Sequence, residues 1–188
     1  MFTDRFTARL SGFAKALLVE TPACSSCQKA KAPLCCGVCQ SALCKKCAVF
    51  LGEDSLSFRK EITPELAHGT YCGGCFDAKV QSALEVYTET MERAKDVNIF
   101  FKTQGKETRF IKRVEKALKV ENCEDRAEAI LRLAFLAAEH GFNTLIDVEV
   151  SSKKIHMGGW QTSSYSVQGV PTSLDEAELK RKFVQAPN

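Results

Sequence analysis

Eight of the ten cysteines in this chain stand as four Cys-x-x-Cys pairs: Cys24/Cys27, Cys36/Cys39, Cys44/Cys47 and Cys72/Cys75. Thiolates spaced this way are soft ligands with the bite of a metal knuckle, and eight of them satisfy two tetrahedral all-cysteine zinc sites. Disulfide scaffolds scatter their cysteines along a short chain, whereas an identical two-residue gap used four times is the pattern of metal binding in a reducing compartment. Two Zn2+ ions are therefore expected. The spacing leaves the pairing open. The first two knuckles can share one ion, or the sets can interleave, with Cys24, Cys27, Cys44 and Cys47 on one ion and Cys36, Cys39, Cys72 and Cys75 on the other. Cys35 and Cys123 are left over and are expected to be free thiols.

Four sulfurs on each ion leave no coordination position for water, so the zinc is read as structural rather than catalytic. Nothing else in the chain supplies an enzyme's parts. There is no Ser/His/Asp arrangement, no paired-carboxylate setting, and no Gly-rich phosphate loop following a strand. His68, His140 and His156 are isolated, and Gly158-Gly159 reads as a turn. The thiol of Cys35 beside Cys36 keeps a redox or zinc-release sensor among the alternatives.

These ligands need elements to hold them. Phe2, Phe6, Leu10, Phe13, Leu17 and Leu18 fall at helical spacing and predict an amphipathic N-terminal helix. The cysteine-rich stretch is poor in periodic apolar pattern, as befits a module with metal at its core. Its 48–71 insertion reads as a short hairpin with a turn at Thr63-Pro64. From Phe76 through Val80, Leu84, Tyr87 and Met91 a helix of about five turns leaves the last knuckle. Residues 97–101 read as a strand, 107–119 as an amphipathic helix with Cys123 at the start of the next, and Ala127 to Ala138 as a buried central helix. Asp125 with Glu128 suggests that helix's cap, and Gly141 its C′ residue. Leu145 to Val150 alternates as a half-buried strand, 160–168 is its partner, and the basic stretch 152–159 connects them. The expected class is α+β, with an N-terminal helix at 1–20, a two-zinc module at 21–75, a connecting helix at 76–96, a strand-helix-helix-strand-strand domain at 97–171, and a polar tail at 172–188.

The formal charge of +3 counts thiols as neutral; eight thiolates and two dications bring the loaded protein to about −1. Residues 76–188 carry equal numbers of basic and acidic side chains. The Lys112, Arg113, Lys116 and Lys119 cluster is interleaved with glutamates and reads as a solvated helix face, which argues against nucleic acid as a partner. No apolar run is long enough to span a bilayer, and no secretory leader is visible, so a cytoplasmic protein is expected.

The run of intervals from Cys24 to Cys75, above all the four residues between Cys39 and Cys44, resembles the FYVE-type zinc finger. That family is a cross-brace module, and the resemblance implies the interleaved pairing. The family binds phosphatidylinositol 3-phosphate through a basic motif around its third cysteine. Here those positions are Ala32-Pro33-Leu34-Cys35-Cys36-Gly37, without its histidines or arginine. The Trp-x-x-Asp before the first cysteine is also missing, and Thr70-Tyr71-Cys72 stands in place of Arg-Val-Cys. A phosphoinositide headgroup needs several converging cations, so the fold carries over and the ligand does not. A RING-type cross-brace would place a histidine among the middle ligands and a shorter fourth-to-fifth gap, and this chain has neither. The segment Gly141 to Val150 with its continuation to Pro171 is faintly similar to small bacterial domains regarded as heavy-metal-binding. Those assemble as ring-shaped pentamers, which implies an α+β domain able to form a homo-oligomer.

The expectation is a non-catalytic interaction or assembly protein whose zinc module binds a protein partner or a second copy. The alternatives are a membrane-recruited adaptor, using a phosphoinositide or the N-terminal helix, and the thiol sensor.

Overall fold

The computed structural model describes residues 22–175 and 177. The N-terminal apolar stripe and the end of the charged tail lie outside the described residues. The chain is α+β, with small antiparallel ribbons in front and a four-stranded sheet behind.

Where the sequence lacks apolar periodicity, the elements are short. β1 (Leu34–Cys35) pairs with β2 (Ala42–Leu43), and β3 (Ala48–Phe50) pairs with β4 (Thr70–Cys72), both antiparallel. The ribbon of the 48–71 insertion is made by its two ends, β3 and β4, rather than by a hairpin within it. Two 3-10 turns, Glu53–Leu56 and Pro64–Leu66, fold between them. Pro64 opens the second turn at a position where its missing N–H costs nothing. Leu56, Leu66, Tyr71 and Val80 are buried together as this module's small apolar core.

From Cys72 the chain stays helical to Lys95, through a first turn α1 (Gly73–Cys75), a wider π segment (Phe76–Val80) and α2 (Gln81–Lys95). The spacing read from Phe76 is realised, and it serves two cores. Val80 points into the module's cluster, while Tyr87, Met91 and Ala94 pack into the larger one. The helix is thus a packed layer of both halves, not a free connector.

In the larger half the strand order is β5-β7-β8-β6, from β5 (Asn98–Phe101), β6 (Leu118–Cys123), β7 (Thr144–Met157) and β8 (Trp160–Thr172). Only the β5–β7 pairing is parallel. The helix expected over 107–119 does not form. A single turn, α3 (Gly105–Thr108), is followed by irregular chain and then by β6. Leu118 and Val120 alternate with Lys119 and Glu121, so the edge of β8 wins this segment by burying the two apolar side chains. Cys123 accordingly ends a strand instead of starting a helix, and burial pushes its thiol up. The expected basic connection at 152–159 is likewise strand, and only Gly158 and Gly159 turn.

The central helix α4 (Arg126–Glu139) is as buried as its composition implies, with Leu133, Ala134, Phe135 and Ala137 in the core. The Asp125 carboxylate accepts from the Glu128 N–H at 2.9 Å. Gly141 takes φ +81°, and the N–H groups of Gly141 and Phe142 bond to the carbonyls of Ala138 and Ala137, a Schellman ending that needs a glycine at C′.

The alternation expected along β7 is broken once. Leu145 and Val148 sit three residues apart yet enter the same core, while Ile146 faces the opposite cluster. Asp147, at φ +53°, absorbs the extra residue as a bulge, and the register with β8 shifts between Ile146 and Glu149. Arg113 holds the bulge, donating Nε and Nη2 to the Asp147 carboxylate at 2.8 and 3.0 Å and Nη1 to the Thr108 and Ile111 carbonyls. The arginine read as part of a solvated face is instead a clamp.

Candidate metal centre

Each half of the cysteine stretch is folded so that alternate knuckles meet. β1 and β2 flank the second knuckle, so Cys36 and Cys39 form the bend of that ribbon while Cys44 follows it. The β3–β4 ribbon places Ala48 opposite Cys72, and α1 carries Cys75 in its first turn. Cys24, Cys27, Cys44 and Cys47 thereby form one group, and Cys36, Cys39, Cys72 and Cys75 the other, with all four Sγ atoms of each within 4.8 Å of one another. The interleaved scheme is the one realised, and both groups are compatible with a two-zinc cross-brace.

The distances fit the ion. A tetrahedron with Zn–S bonds of about 2.3 Å has S–S edges of about 3.8 Å. Cys27 and Cys44 Sγ are 3.7 Å apart, and so are Cys39 and Cys72. A disulfide needs about 2.05 Å, and every cysteine among the described residues is unpaired with another by a covalent bond. In each group one ligand is fully buried, Cys24 and Cys36, and one exposed, Cys27 and Cys39.

The donor set also asks for a cation. Backbone N–H groups of Cys44, Cys27 and Ser26 converge on Cys24 and lower its thiol to about 6. Cys39 is lowered to about 6 by the Ser41 hydroxyl, 3.2 Å away, and by the Ser41 N–H. Burial pushes Cys36 up, but N–H bonds from Cys39, Cys72 and Val38 outweigh it and the net shift is downward. Cys47 and Cys75 move the other way, to about 12, chiefly because the proton each keeps is held in hydrogen bonds to neighbouring sulfurs, Cys27 first for Cys47 and Cys72 first for Cys75. Four thiolates this close cannot all ionise without positive charge between them, which a bound dication supplies.

Local turns explain how the first two knuckles reach this geometry. Gln28 and Gln40, each directly after a knuckle, take φ +58° and +60°. Their N–H groups bond back to Cys24 and Cys36 carbonyls at 2.8 and 2.9 Å, and their side-chain amides donate to Ser25 and Gly37 carbonyls. The repeated Cys-x-x-Cys-Gln is a signal that the sequence reading passed over. His68 joins neither group; its ring packs against Gly37, where a Cβ would come within 2.2 Å of it, and edge-on to Tyr71. Cys35 is exposed on β1, outside both groups.

The module is docked on the larger half. Phe58 from the insertion meets Phe135 of α4 edge-on, with centroids 5.9 Å apart, and Arg132 lies 4.6 Å over its ring. Arg132 also donates to the Ser57 carbonyl at 2.8 Å and to Glu128 at 2.9 Å. No helix among the described residues is long and apolar enough to cross a membrane. No known family model matches the chain, and neither a curated protein nor a solved structure does.

Proposed function

We propose that this is a non-catalytic zinc protein of FYVE-like architecture that uses its two ions to shape a surface for a protein partner. The observation that carries the reading is the closure of both sites: four sulfurs per group complete a tetrahedron and leave no position for substrate or water. Zinc that meets no substrate serves shape, and the shape it serves is the 48–71 insertion held between the third and fourth knuckles. That insertion turns Leu56 and Phe58 inward and leaves Phe50 and Ile62 outside, 59% and 42% exposed. Large apolar side chains held on a rigid frame are the usual anchors of protein recognition.

A headgroup reading has less behind it. The positions where a FYVE-type finger has its basic motif are here the short strand Leu34–Cys35, flanked by buried Ala32 and by Gly37, and none of Ala32 to Gly37 carries a cation.

The reading is tested by metal analysis with native mass, followed by capture experiments. Two zinc ions per chain are expected, with a partner retained by the wild type and lost by a Phe50→Ser/Ile62→Ser variant of unchanged zinc content. Co-sedimentation with phosphoinositide liposomes would transfer the assignment to a membrane adaptor, and stoichiometric zinc release by dilute peroxide would transfer it to a thiol sensor.

A further inference from the structure

The helical layer is shorter than the ribbon it covers. α4 has 14 residues and spans about 21 Å, whereas β7, also of 14 residues, spans about 46 Å. Beyond Arg126, the first residue of α4, the core face of β7 and β8 continues without a helix above it. The space left there is a cavity of about 650 Å³, within the range of small-molecule sites. Its floor is Val148, Val150 and Tyr165, all of which also touch the main core, and its side wall is Phe101 at the end of β5.

The charges around it are unevenly matched. Lys102 is paired at 3.0 Å with Glu149, which also accepts from Gln168. The Arg126 guanidinium stands 5.8 Å from the centre of the Phe101 ring, and no carboxylate among the described residues is within ion-pair distance of it. The cavity therefore has aromatic and aliphatic walls, an exposed hydroxyl at Ser152, and one planar cation whose charge is not cancelled.

We infer that this cavity binds a small monoanion with a flat apolar body, of the aromatic carboxylate class. The carboxylate would face Arg126, whose fork of donors matches it in a bidentate way. The ring would lie between Phe101 and Tyr165 over the valine floor. One negative charge balances the site, because the Lys102–Glu149 pair is already neutral. This site is independent of the zinc module and of the partner surface proposed above.

The test uses the full, zinc-loaded chain and 1-naphthoate as the probe, followed by amide chemical shifts. A Kd of roughly 0.1–1 mM is expected for a ligand of this size, with shifts confined to residues 101–103, 126, 148–152 and 165. The uncharged analogue 1-naphthalenemethanol should bind at least fivefold more weakly to the same wild-type protein. Arg126→Gln should weaken naphthoate about tenfold, while Lys153→Gln, on the ribbon outside the cavity, should leave it unchanged. Ser152→Trp, which fills the space, should abolish binding of both probes. Equal affinity for acid and alcohol, shifts mapping elsewhere, or no binding of either at 10 mM would overturn the inference. Absence of binding in a protein whose native mass is a multiple of the chain would assign the same face to a second copy instead.

Discussion

Removing zinc under reducing conditions should unfold the front of this protein and spare the back. The buried apolar core of the module is Leu56, Leu66, Tyr71 and Val80; at about 1.5–3 kcal/mol per side chain it contributes about 6–12 kcal/mol. A structural zinc site is worth roughly 10–16 kcal/mol at neutral pH, so either ion alone rivals the whole apolar core of the module. The larger half has its own cluster, built on Leu133, Phe135, Leu145 and Val148, which contains no metal-ligating cysteine. Amide exchange before and after chelation separates the two. Protection at Leu43, Tyr71 and Val80 should disappear, while protection along α4 and β7 persists with a modest loss where Phe58 undocks. The two sites should also differ. Cys72→Ser breaks the group that ties β4 and the first helical turn to the second knuckle, so exchange should rise from Cys36 to Val80. Cys27→Ser disrupts only the group formed by residues 24–47 and should leave Tyr71 and Val80 protected. Metal-free, reduced protein that keeps its protection at Tyr71 and Val80 and unfolds in one cooperative step would refute the reasoning.

Three further outcomes follow from single contacts. Phe58→Ala should cost about 1.5–3 kcal/mol in urea unfolding, from the half-buried ring with its Phe135 and Arg132 contacts, while metal analysis still finds two zinc ions per chain. Gly37→Ala puts a Cβ at 2.2 Å from the His68 ring; competition with a chromogenic chelator should show the Cys36/Cys39/Cys72/Cys75 site losing zinc before the other. Arg113→Met should lower stability by about 1–2 kcal/mol at pH 7, discounted for a pair about one-third exposed. The guanidinium holds the Asp147 carboxyl below its usual range. Its contribution is therefore complete above the unfolded value near 3.9 and lost as pH falls through the folded value. The gap between variant and wild type, measured by denaturant melts at each pH, should be flat above about pH 5 and narrow at lower pH to the part held by the Thr108 and Ile111 carbonyl bonds; a gap that is constant down to pH 2 would reject the clamp.

The metal ligands were legible because zinc imposes their spacing directly on the sequence, and the long helix and α4 because their apolar periods run uninterrupted. The pairing of knuckles was not in the spacing and came only with the resemblance. The segment 107–119 failed for a physical reason: Phe110, Ile111, Val114 and Leu118 fit a helical period, but Leu118 and Val120 also fit a strand, and only the free edge of β8 decides between them. The bulge at Asp147 was hidden for a similar cause. A strand pattern read at period two assumes constant register, and nothing local announces that Arg113, 34 residues earlier, will supply the carboxylate's partner.

Zinc occupancy has a route into the larger half through two connections that differ in kind. One is continuous backbone: Cys75 ligates in the first helical turn, and the same helix delivers Tyr87, Met91 and Ala94 to the main core. The other is side-chain packing, where Ser57 and Phe58, held in the insertion between the third and fourth knuckles, engage Arg132 on α4. Backbone continuity keeps the halves attached whatever the metal state, so α2 should retain its packing over Tyr87 to Ala94 without zinc. The Phe58 contact depends on the fixed ends of the insertion, Ala48 next to the third knuckle and Tyr71 next to the fourth, and Ala48 is itself paired to Cys72 of the fourth. Loss of the Cys36/Cys39/Cys72/Cys75 ion should therefore loosen α4 at Arg132 and Phe135 specifically, leaving its capped ends at Asp125 and Gly141 unchanged. Phe58→Ala in the zinc-loaded protein should reproduce that local change in exchange. If it does not, the coupling runs through the helix instead.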